Sequence, residues 1–316
     1  MEFDFYSLGL IGFPLEHSVS PHLHSANLND LGLGGNYKLY EVPPMPKGEE
    51  RIAELLKRLR KEEIAGLNVT IPHKKTVIRF LDNLTSPAQD IGAVNTIYLR
   101  DGKLFGDNTD APGFSLDLES MMKATGYQWK PDSSNNEYIA LVIGAGGSAC
   151  AVVYTLVRKG WRVIIAARRL RQAQELAHRH IGRDSKAMIS AIKLNKSEIN
   201  SIEKPISLIV NTTPIGMWPN IDDSPWPENL SLPNNAFVYD LVYNPSVTQL
   251  VKEARAAGLI AVTGLGMLIE QAVFAFERWT GIPANRDAMR NAATNYIQQE
   301  NLEKEDDEDI YKSGEN

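Results

Sequence analysis

The sequence predicts an α/β protein of two domains, in which largely parallel strands alternate with helices. Three observations support this prediction. The chain has 316 residues, about twice the usual size of a single domain. Its composition, with 43% apolar and 23% charged residues, is that of an ordinary globular protein. Short apolar runs bounded by turn residues alternate with helical patterns along the chain.

Seven apolar runs have the length of strands, and helical patterns lie between them. The candidate strands are Ser7–Gly12, Ile64–Val69, Ile139–Ile143, Arg162–Ala166, Leu208–Asn211, Val238–Val242 and Leu259–Val262. The candidate helices are Glu49–Lys61, Ser148–Lys159, Leu170–His180, Gln249–Ala257 and Met267–Thr280. Two polar stretches are expected to be loops: Gln128–Glu137, a candidate domain edge, and the proline-rich Gly216–Asn235.

The net charge of −6 is confined to the end of the chain. Residues 300–316 contain eight acidic and two basic residues, so the preceding residues sum to zero. A neutral body argues against a nucleic-acid partner, which requires a basic surface. We therefore expect small-molecule or protein partners, and an acidic disordered tail over 300–316 with too few apolar residues to pack.

Cysteine usage and the N-terminal residues indicate the compartment. The single cysteine, Cys150, cannot form an intramolecular disulfide, which favours a reducing compartment. The first residues are acidic where a signal peptide is basic, and no apolar run approaches the roughly 18 residues of a membrane span. We expect a cytoplasmic protein with no membrane association.

The sharpest local signal is a glycine turn between an apolar strand and a helix. The turn follows Ile143 and consists of Gly144, Ala145, Gly146, Gly147, Ser148 and Ala149. In dinucleotide-binding turns the first glycine allows the bend, the second lets the backbone approach a pyrophosphate, and a small third residue lets helix pack on strand. N–H groups at the helix N-terminus then face the phosphate. An ordinary glycine turn is the alternative, but the flanking strand and helix favour a cofactor site.

The end of the next strand indicates which cofactor. NAD enzymes usually place an acid there for the ribose 2′-hydroxyl, whereas NADP enzymes use arginine for the 2′-phosphate. Residues 144–174 contain six basic residues and no acid. Arg168 and Arg169 stand at the strand end, and guanidinium groups suit phosphate. The sequence therefore predicts NADP(H), whereas Arg158 and Lys159 are compatible with a solvated helix face.

Four polar clusters in the first 113 residues indicate a second ligand. Each follows an apolar strand or occupies a turn, where polar side chains can converge. The clusters are Gly12–Pro21, Asn68–Lys74, Gly92–Thr96 and Gly106–Gly113. So many hydroxyl, amide and charged groups are typical of a site for a polyhydroxylated, anionic small molecule.

Together these motifs resemble the NADP-dependent shikimate dehydrogenase family, part of the shikimate/quinate dehydrogenases of chorismate and aromatic amino-acid biosynthesis. The resemblance covers roughly residues 8–297 in the family's order and spacing. It includes three further segments: Asn211–Met217, Asp240–Pro245 with Thr248, and Gly264–Ala272.

The resemblance implies a fold and a reaction. The fold is α/β, with an N-terminal α/β substrate domain over residues 1–110 that is completed by C-terminal helices over 265–299. A Rossmann-like NADP-binding domain covers 111–264, and the active site lies in the interdomain cleft. The implied reaction is the reversible reduction of 3-dehydroshikimate to shikimate with NADPH.

The resemblance also assigns site residues. Lys74 and Asp110 flank the alcohol that is oxidised, and Ser18 and Ser20 hold the substrate carboxylate. Substrate contacts around the ring are Asn68, Thr70, Lys74, Asn95, Asp110, Tyr243 and Gln271. Cofactor contacts are Gly144, Ala145, Gly146, Gly147, Ser148, Ala149, Arg168, Arg169, Thr212, Leu241, Gly264 and Met267.

The residue types are consistent with this chemistry. Oxidising an alcohol to a ketone needs a positioned acid/base. A zinc site is not expected, because one cysteine and six scattered histidines form no ligand set. No tyrosine is followed four residues later by lysine, which excludes the short-chain dehydrogenase arrangement. Lys74 and Asp110 remain, and the sequence leaves open which of them holds the proton at each stage.

Simpler interpretations apply to other conspicuous residues. We expect His17 and His73 at turns, Lys75 on the surface, Cys150 in helix packing, and Trp218 and Trp226 in loop packing. Two alternative functions remain open: an NAD-dependent quinate/shikimate dehydrogenase, and a non-catalytic ligand-sensing protein on the same fold. The family includes monomers and homodimers.

Overall fold

Two six-stranded sheets organise the chain. The structure, a computed structural model, describes residues 4–127, 138–181 and 188–313. The strands are β1 (Tyr6–Gly12), β2 (Gly35–Glu41), β3 (Gly66–Val69), β4 (Asn83–Leu84), β5 (Thr96–Arg100), β6 (Lys103–Asp107), β7 (Ile139–Ile143), β8 (Arg162–Ala167), β9 (Ile189–Lys193), β10 (Ile206–Asn211), β11 (Phe237–Asp240) and β12 (Ile260–Thr263). The helices are α1 (Ser20–Asp30), α2 (Glu49–Arg60), α3 (Ser86–Ile91), α4 (Asp110–Ala124), α5 (Gly147–Arg158), α6 (Leu170–Ile181), α7 (Lys196–Asn200), α8 (Gln249–Ala256), α9 (Leu265–Thr280) and α10 (Arg286–Ser313), with a 3₁₀ helix over Thr76–Phe80.

The second sheet is wholly parallel. Its order is β12-β11-β10-β7-β8-β9, so the first strand along the chain, β7, lies centrally and the order reverses beside it. This is the doubly wound arrangement, which binds ligands beyond the carboxyl ends of the strands at the reversal point. Strand β7 is buried along its whole length, as its uninterrupted apolar sequence predicts. The glycine turn lies at that point.

The first sheet is mixed. Its order is β2-β1-β3-β5-β6-β4, with β1, β2 and β3 parallel and β5 antiparallel to both β3 and β6. The expectation of largely parallel sheets is therefore correct for the second sheet and only partly correct for the first. The β5–β6 hairpin turns through Asp101 and Gly102, both at positive φ, a conformation that glycine adopts without strain.

The last two helices return to the first sheet. Helix α10 packs on α1, and α9 packs on α4 and contacts β5. Trp279 on α9 donates its indole N–H to the Ile97 carbonyl at 3.1 Å, and Gly66 leaves room for the ring because a Cβ there would overlap it. The resulting core joins apolar residues of β1 and α1 to those of α9 and α10.

The end of the chain differs from expectation. Helix α10 continues through residue 300 to Ser313, where the sequence predicts a disordered tail. Two physical reasons account for this. The helix is already nucleated by its packed first turns, and leucine, glutamate and lysine have high helix propensity.

Candidate active site

Lys74 and Asp110 form a buried ion pair between the two sheets. The Lys74 Nζ lies 2.6 Å from Asp110 Oδ2, and both residues are at most 9% exposed. Lys74 follows β3 in the loop before the 3₁₀ helix, whereas Asp110 begins α4. An N-terminal position on a helix suits a carboxylate, because the helix dipole is positive there. The pair expected from the family resemblance is thus formed.

A network of neutral polar groups fixes Asp110. Asn95 donates through its amide to Asp110 Oδ1 and to Thr109 Oγ1, both at 2.9 Å, and accepts from the Thr109 backbone N–H at 2.7 Å. The same amide lies 3.4 Å from Gln271 Oε1, which reaches over from α9. Three of the predicted substrate residues, Asn95, Asp110 and Gln271, are therefore linked here. The role of Thr109 in this network is not evident from the sequence.

A second chain of hydrogen bonds leads from the network towards α1. Asn68 donates to the Asn95 carbonyl at 3.0 Å and accepts from the Tyr37 hydroxyl at 2.8 Å. Burial raises the pKa of Tyr37, and a hydrogen bond with Ser20 opposes this shift. Tyr37 thus links Asn68 and Ser20, which are both predicted substrate residues. Sequence reasoning missed it because it lies within β2, outside the polar clusters.

The glycine turn has the geometry that a bound pyrophosphate requires. Gly144 has a φ of 112°, which disfavours any side chain. Space beside Gly146 is open, since among the described residues other than its chain neighbours no heavy atom lies within 4 Å of where its Cβ would be. The N-cap of α5 is Gly146, which has no side chain to cap the helix, and Ala149 is fully buried. Free backbone N–H groups and an open approach fit a dinucleotide phosphate.

The glycine turn is in contact with Lys74 and Lys75, in the loop that follows β3. A Cβ on Gly147 would lie 3.1 Å from Lys74 Cβ, and Lys75 donates to the Ala145 carbonyl at 3.3 Å. Lys75 is exposed, as expected of a surface lysine, and its ammonium also reaches across to the turn. The predicted cofactor and substrate sites share a wall at Lys74.

The two arginines expected to hold a phosphate are exposed at the end of β8. Arg168 and Arg169 follow Ala167 directly, before α6 begins. In the part of the chain that the structure describes, neither guanidinium forms an ion pair. Arg171, in contrast, pairs with Glu175 at 2.9 Å within α6. Arg168 and Arg169 are therefore available for an anionic ligand.

Asp240 organises the strand ends on the other side of the turn. It accepts from the Thr248 hydroxyl at 2.7 Å, the Asn211 amide at 2.8 Å and the Val242 backbone N–H at 3.0 Å. Burial raises its pKa to about 6, and these three donors limit the rise. The backbone of the next residue, Leu241, lies so close to Gly264 that a Cβ on Gly264 would overlap it.

The remaining predicted cofactor residues line the same edge. Thr212 donates to the Ile143 carbonyl at 2.7 Å and lies against Gly144. Met267 is buried, packed in one cluster with Leu241. Thr212 directly follows β10, beyond the carboxyl end of a central strand, where such folds bind their ligands.

The remaining residues expected around the substrate, at its carboxylate or its ring, follow strands of both sheets. Ser18 and Ser20 are half-buried around the start of α1, and Thr70 follows β3 with its methyl group against Gly12. Tyr243 follows β11 in the second sheet. Burial, with smaller contributions from Glu300 and Tyr296, raises its pKa to about 12. Its hydroxyl therefore remains a donor.

Several of the simpler interpretations are confirmed. His73 is buried with its Nε2 2.7 Å from the Val42 carbonyl, and Cys150 is buried in α5, as expected. Trp226 packs within the loop and donates to the Leu230 carbonyl at 2.9 Å.

Within the described ranges, no three His, Cys, Asp or Glu side chains are grouped as a metal site requires, and no helix could cross a membrane.

These features define a class of protein. A doubly wound sheet with an open glycine turn, arginines at the next strand end and a buried lysine–carboxylate pair is the arrangement of a nicotinamide-dinucleotide-dependent dehydrogenase.

Comparison with known proteins gives the family. Residues 10–97 match the shikimate dehydrogenase substrate binding domain, residues 130–265 match shikimate / quinate 5-dehydrogenase, and residues 264–294 match the shikimate 5'-dehydrogenase C-terminal domain. Shikimate dehydrogenase (NADP(+)) of Methanopyrus kandleri is 38% identical over 92% of this chain and 95% of its own. The chain belongs to the shikimate dehydrogenase family.

Solved structures agree with this assignment. Shikimate 5-dehydrogenase of Thermus thermophilus, in complex with NADP(H) and shikimate, is 35% identical with a TM-score of 0.73, and the match covers 92% of this chain and 99% of that one. Quinate dehydrogenase of Corynebacterium glutamicum, in complex with NAD, is 29% identical with a TM-score of 0.79, and the match covers 93% and 100%.

Proposed function

We propose that the protein is an NADP-dependent shikimate dehydrogenase, which reversibly reduces 3-dehydroshikimate to shikimate. The observation that carries the proposal is the buried Lys74–Asp110 pair in contact with the glycine turn. An acid/base unit therefore stands beside the turn that would hold the pyrophosphate of a nicotinamide dinucleotide. The family and the ligands of its solved relatives agree with this function.

The reaction needs a hydride at carbon and a proton at oxygen. NADPH would supply the hydride when bound, and the turn from Gly144 to Ala149 would hold its pyrophosphate. Lys74 and Asp110 act as one unit that delivers the proton to the ketone oxygen and takes it back in the reverse reaction. Asn95 holds the Asp110 carboxylate in place through its amide. Burial of the pair excludes water from the reacting oxygen.

Substrate recognition follows from the polar wall around this pair. Asn68 donates both amide hydrogens within the protein and can still accept, whereas Gln271 keeps one amide hydrogen to donate; this combination suits ring hydroxyls. Ser18 and Ser20 supply hydroxyl donors for the carboxylate, and Tyr243 supplies one for the ring. We also propose that Arg168 and Arg169 bind the 2′-phosphate that distinguishes NADP from NAD, because guanidinium groups form charge-assisted hydrogen bonds with phosphate.

The non-catalytic alternative is disfavoured by the same geometry. A ligand sensor has no need of a buried lysine paired with a carboxylate, and such a pair is costly to bury unless its geometry is well fixed. An NAD-dependent quinate enzyme is disfavoured by the pair of exposed arginines at the end of β8. We propose a cytoplasmic location, which the single free cysteine, Cys150, supports. A monomer or homodimer is proposed from the family resemblance.

A direct assay tests the proposed function. Purified protein mixed with NADP and shikimate should reduce NADP with saturation in both substrates. No turnover at about 1 mM shikimate, the upper end of ordinary KM values, would contradict the proposal.

A further inference from the structure

Glu300 is an enclosed carboxylate at the point where three segments of the chain meet. Its side chain is only 12% exposed. It accepts hydrogen bonds from the Tyr296 hydroxyl at 3.0 Å and from the Asn244 amide, and its Oε1 lies 3.2 Å from His17 Nδ1. Enclosed carboxylates need such partners to offset their lost hydration.

The partners of Glu300 border the expected substrate residues. His17 immediately precedes Ser18, in the loop after β1 of the first sheet. Asn244 immediately follows Tyr243, in the loop after β11 of the second sheet, and is 5% exposed. One carboxylate on α10 therefore connects a loop of the substrate domain to a loop of the cofactor domain.

A ring contact joins the same two domains at this position. The His17 ring lies 6.1 Å from the Trp218 ring, edge to face. Trp218 belongs to the long loop between β10 and β11 of the second sheet. His17 is thus held between Glu300 and Trp218, and Ser18 beside it has a restricted position.

We propose that Glu300 is a positioning residue for substrate binding. By holding His17 and Asn244, it fixes Ser18 and Tyr243, one from each domain, around the substrate. It does not touch the reacting atoms, which lie at Lys74. This proposal rests on the proposed function, because it takes shikimate as the ligand that these two residues contact.

Three variants test the proposal by steady-state kinetics. In Glu300→Ala, the contacts with His17 and Asn244 are lost, and KM for shikimate should rise about tenfold while kcat changes less than about threefold. Glu300→Gln should recover most of the wild-type KM, since its oxygen still accepts from Asn244. Gln299→Ala, an exposed neighbour on the same helix, is the matched control and should behave as wild type.

The KM for NADP separates positioning from general loosening of the fold. It should stay within about twofold of wild type in Glu300→Ala, because the hydrogen-bond partners of Glu300 described above are not residues of the glycine turn. An equal rise in both KM values, or a fall in kcat with an unchanged KM for shikimate, would overturn the proposal. A KM for shikimate that is unchanged or lower would overturn it as well.

Asn244→Ala provides a second measurement in case Glu300→Ala folds poorly. It removes the other partner of the same contact, so KM for shikimate should rise and KM for NADP should stay within about twofold of wild type. An unchanged KM for shikimate in Asn244→Ala would contradict the proposal. If wild type fails to oxidise shikimate, the proposed function fails; if wild type is active and Glu300→Ala is equally so, only the positioning role fails.

Discussion

Lys74 and Asp110 each compensate the charge of the other in a buried setting, so the proposed acid/base unit depends on both. Replacing Lys74 by alanine removes the group beside the substrate oxygen and leaves most binding contacts intact. We predict that kcat falls by a factor of about 10² to 10⁴ with a modest change in KM for shikimate. Steady-state kinetics of NADP reduction measure this effect.

The Lys74→Ala variant needs two controls. Lys57→Ala, which replaces an exposed lysine on α2, should keep wild-type kinetics. Because Lys74→Ala leaves Asp110 without its partner, thermal unfolding must show that the variant is folded at the assay temperature. A folded Lys74→Ala enzyme with nearly wild-type kcat would show that Lys74 is not the acid/base.

Arg168 and Arg169 are proposed to determine the preference for cofactor. Each charge-assisted hydrogen bond to the 2′-phosphate contributes about 1.5–3 kcal/mol, which corresponds to roughly 10- to 100-fold in affinity. Arg168→Ala and Arg169→Ala should therefore raise KM for NADP by about tenfold or more and leave KM for NAD nearly unchanged. Arg171→Ala, whose guanidinium already pairs with Glu175, is the control. Equal effects on NADP and NAD would contradict phosphate recognition.

At the scale of elements, protonation of Asp240, at the end of β11, affects the stability of the folded protein. Burial raises the pKa of Asp240 to about 6 from 3.8, so the folded protein binds this proton more tightly than the unfolded chain. The corresponding stabilisation is complete below about pH 4 and is lost as pH rises through about 6. It amounts to about 3 kcal/mol between the two limits.

The Asp240→Asn variant isolates this contribution. The difference in free energy of unfolding, wild type minus variant, should fall by about 3 kcal/mol from about pH 4 to about pH 7, as measured by urea unfolding. Asp222→Asn, which replaces an exposed loop carboxylate, controls for the loss of one charge. A pH-independent difference would show that Asp240 titrates as an ordinary carboxyl.

Elements with strong local patterns were predictable from the sequence. Strand β7 matches the predicted Ile139–Ile143 at both ends, and α8 and α9 are within two residues of prediction. Their apolar periodicity and turn residues act locally, so a single sequence reveals them. The β5–β6 hairpin was not predicted, because its register depends on pairing with β3. Residues 128–137, expected to be a loop, lie outside the described residues.

The site was predictable only where its residues form clusters along the chain. Lys74, Asn95 and Asp110 were expected from polar motifs and the family resemblance, and the structure brings them together. Tyr37 and Glu300 were missed, because their partners lie on other elements, up to 283 positions away in sequence. The charge count assigned Glu300 to a solvated tail, whereas its side chain is enclosed between two loops. Composition cannot show such contacts.

At the scale of the whole molecule, the two sheets must act together. The first supplies the polar wall and the lysine, the second supplies the glycine turn and the arginines, and they meet at Lys74 and Gly147. The return of α9 and α10 to the first sheet brings Gln271 against Asn95 and Glu300 against His17. Substrate and cofactor preference are therefore joint properties of both halves.

Steady-state kinetics with four pairs of substrates test the central claim most directly. The value of kcat/KM should be measured for shikimate and quinate, each with NADP and with NAD. We predict the highest value for shikimate with NADP, by about tenfold or more over every other pair. A highest value for quinate with NAD, or no activity with any pair, would contradict the proposed function.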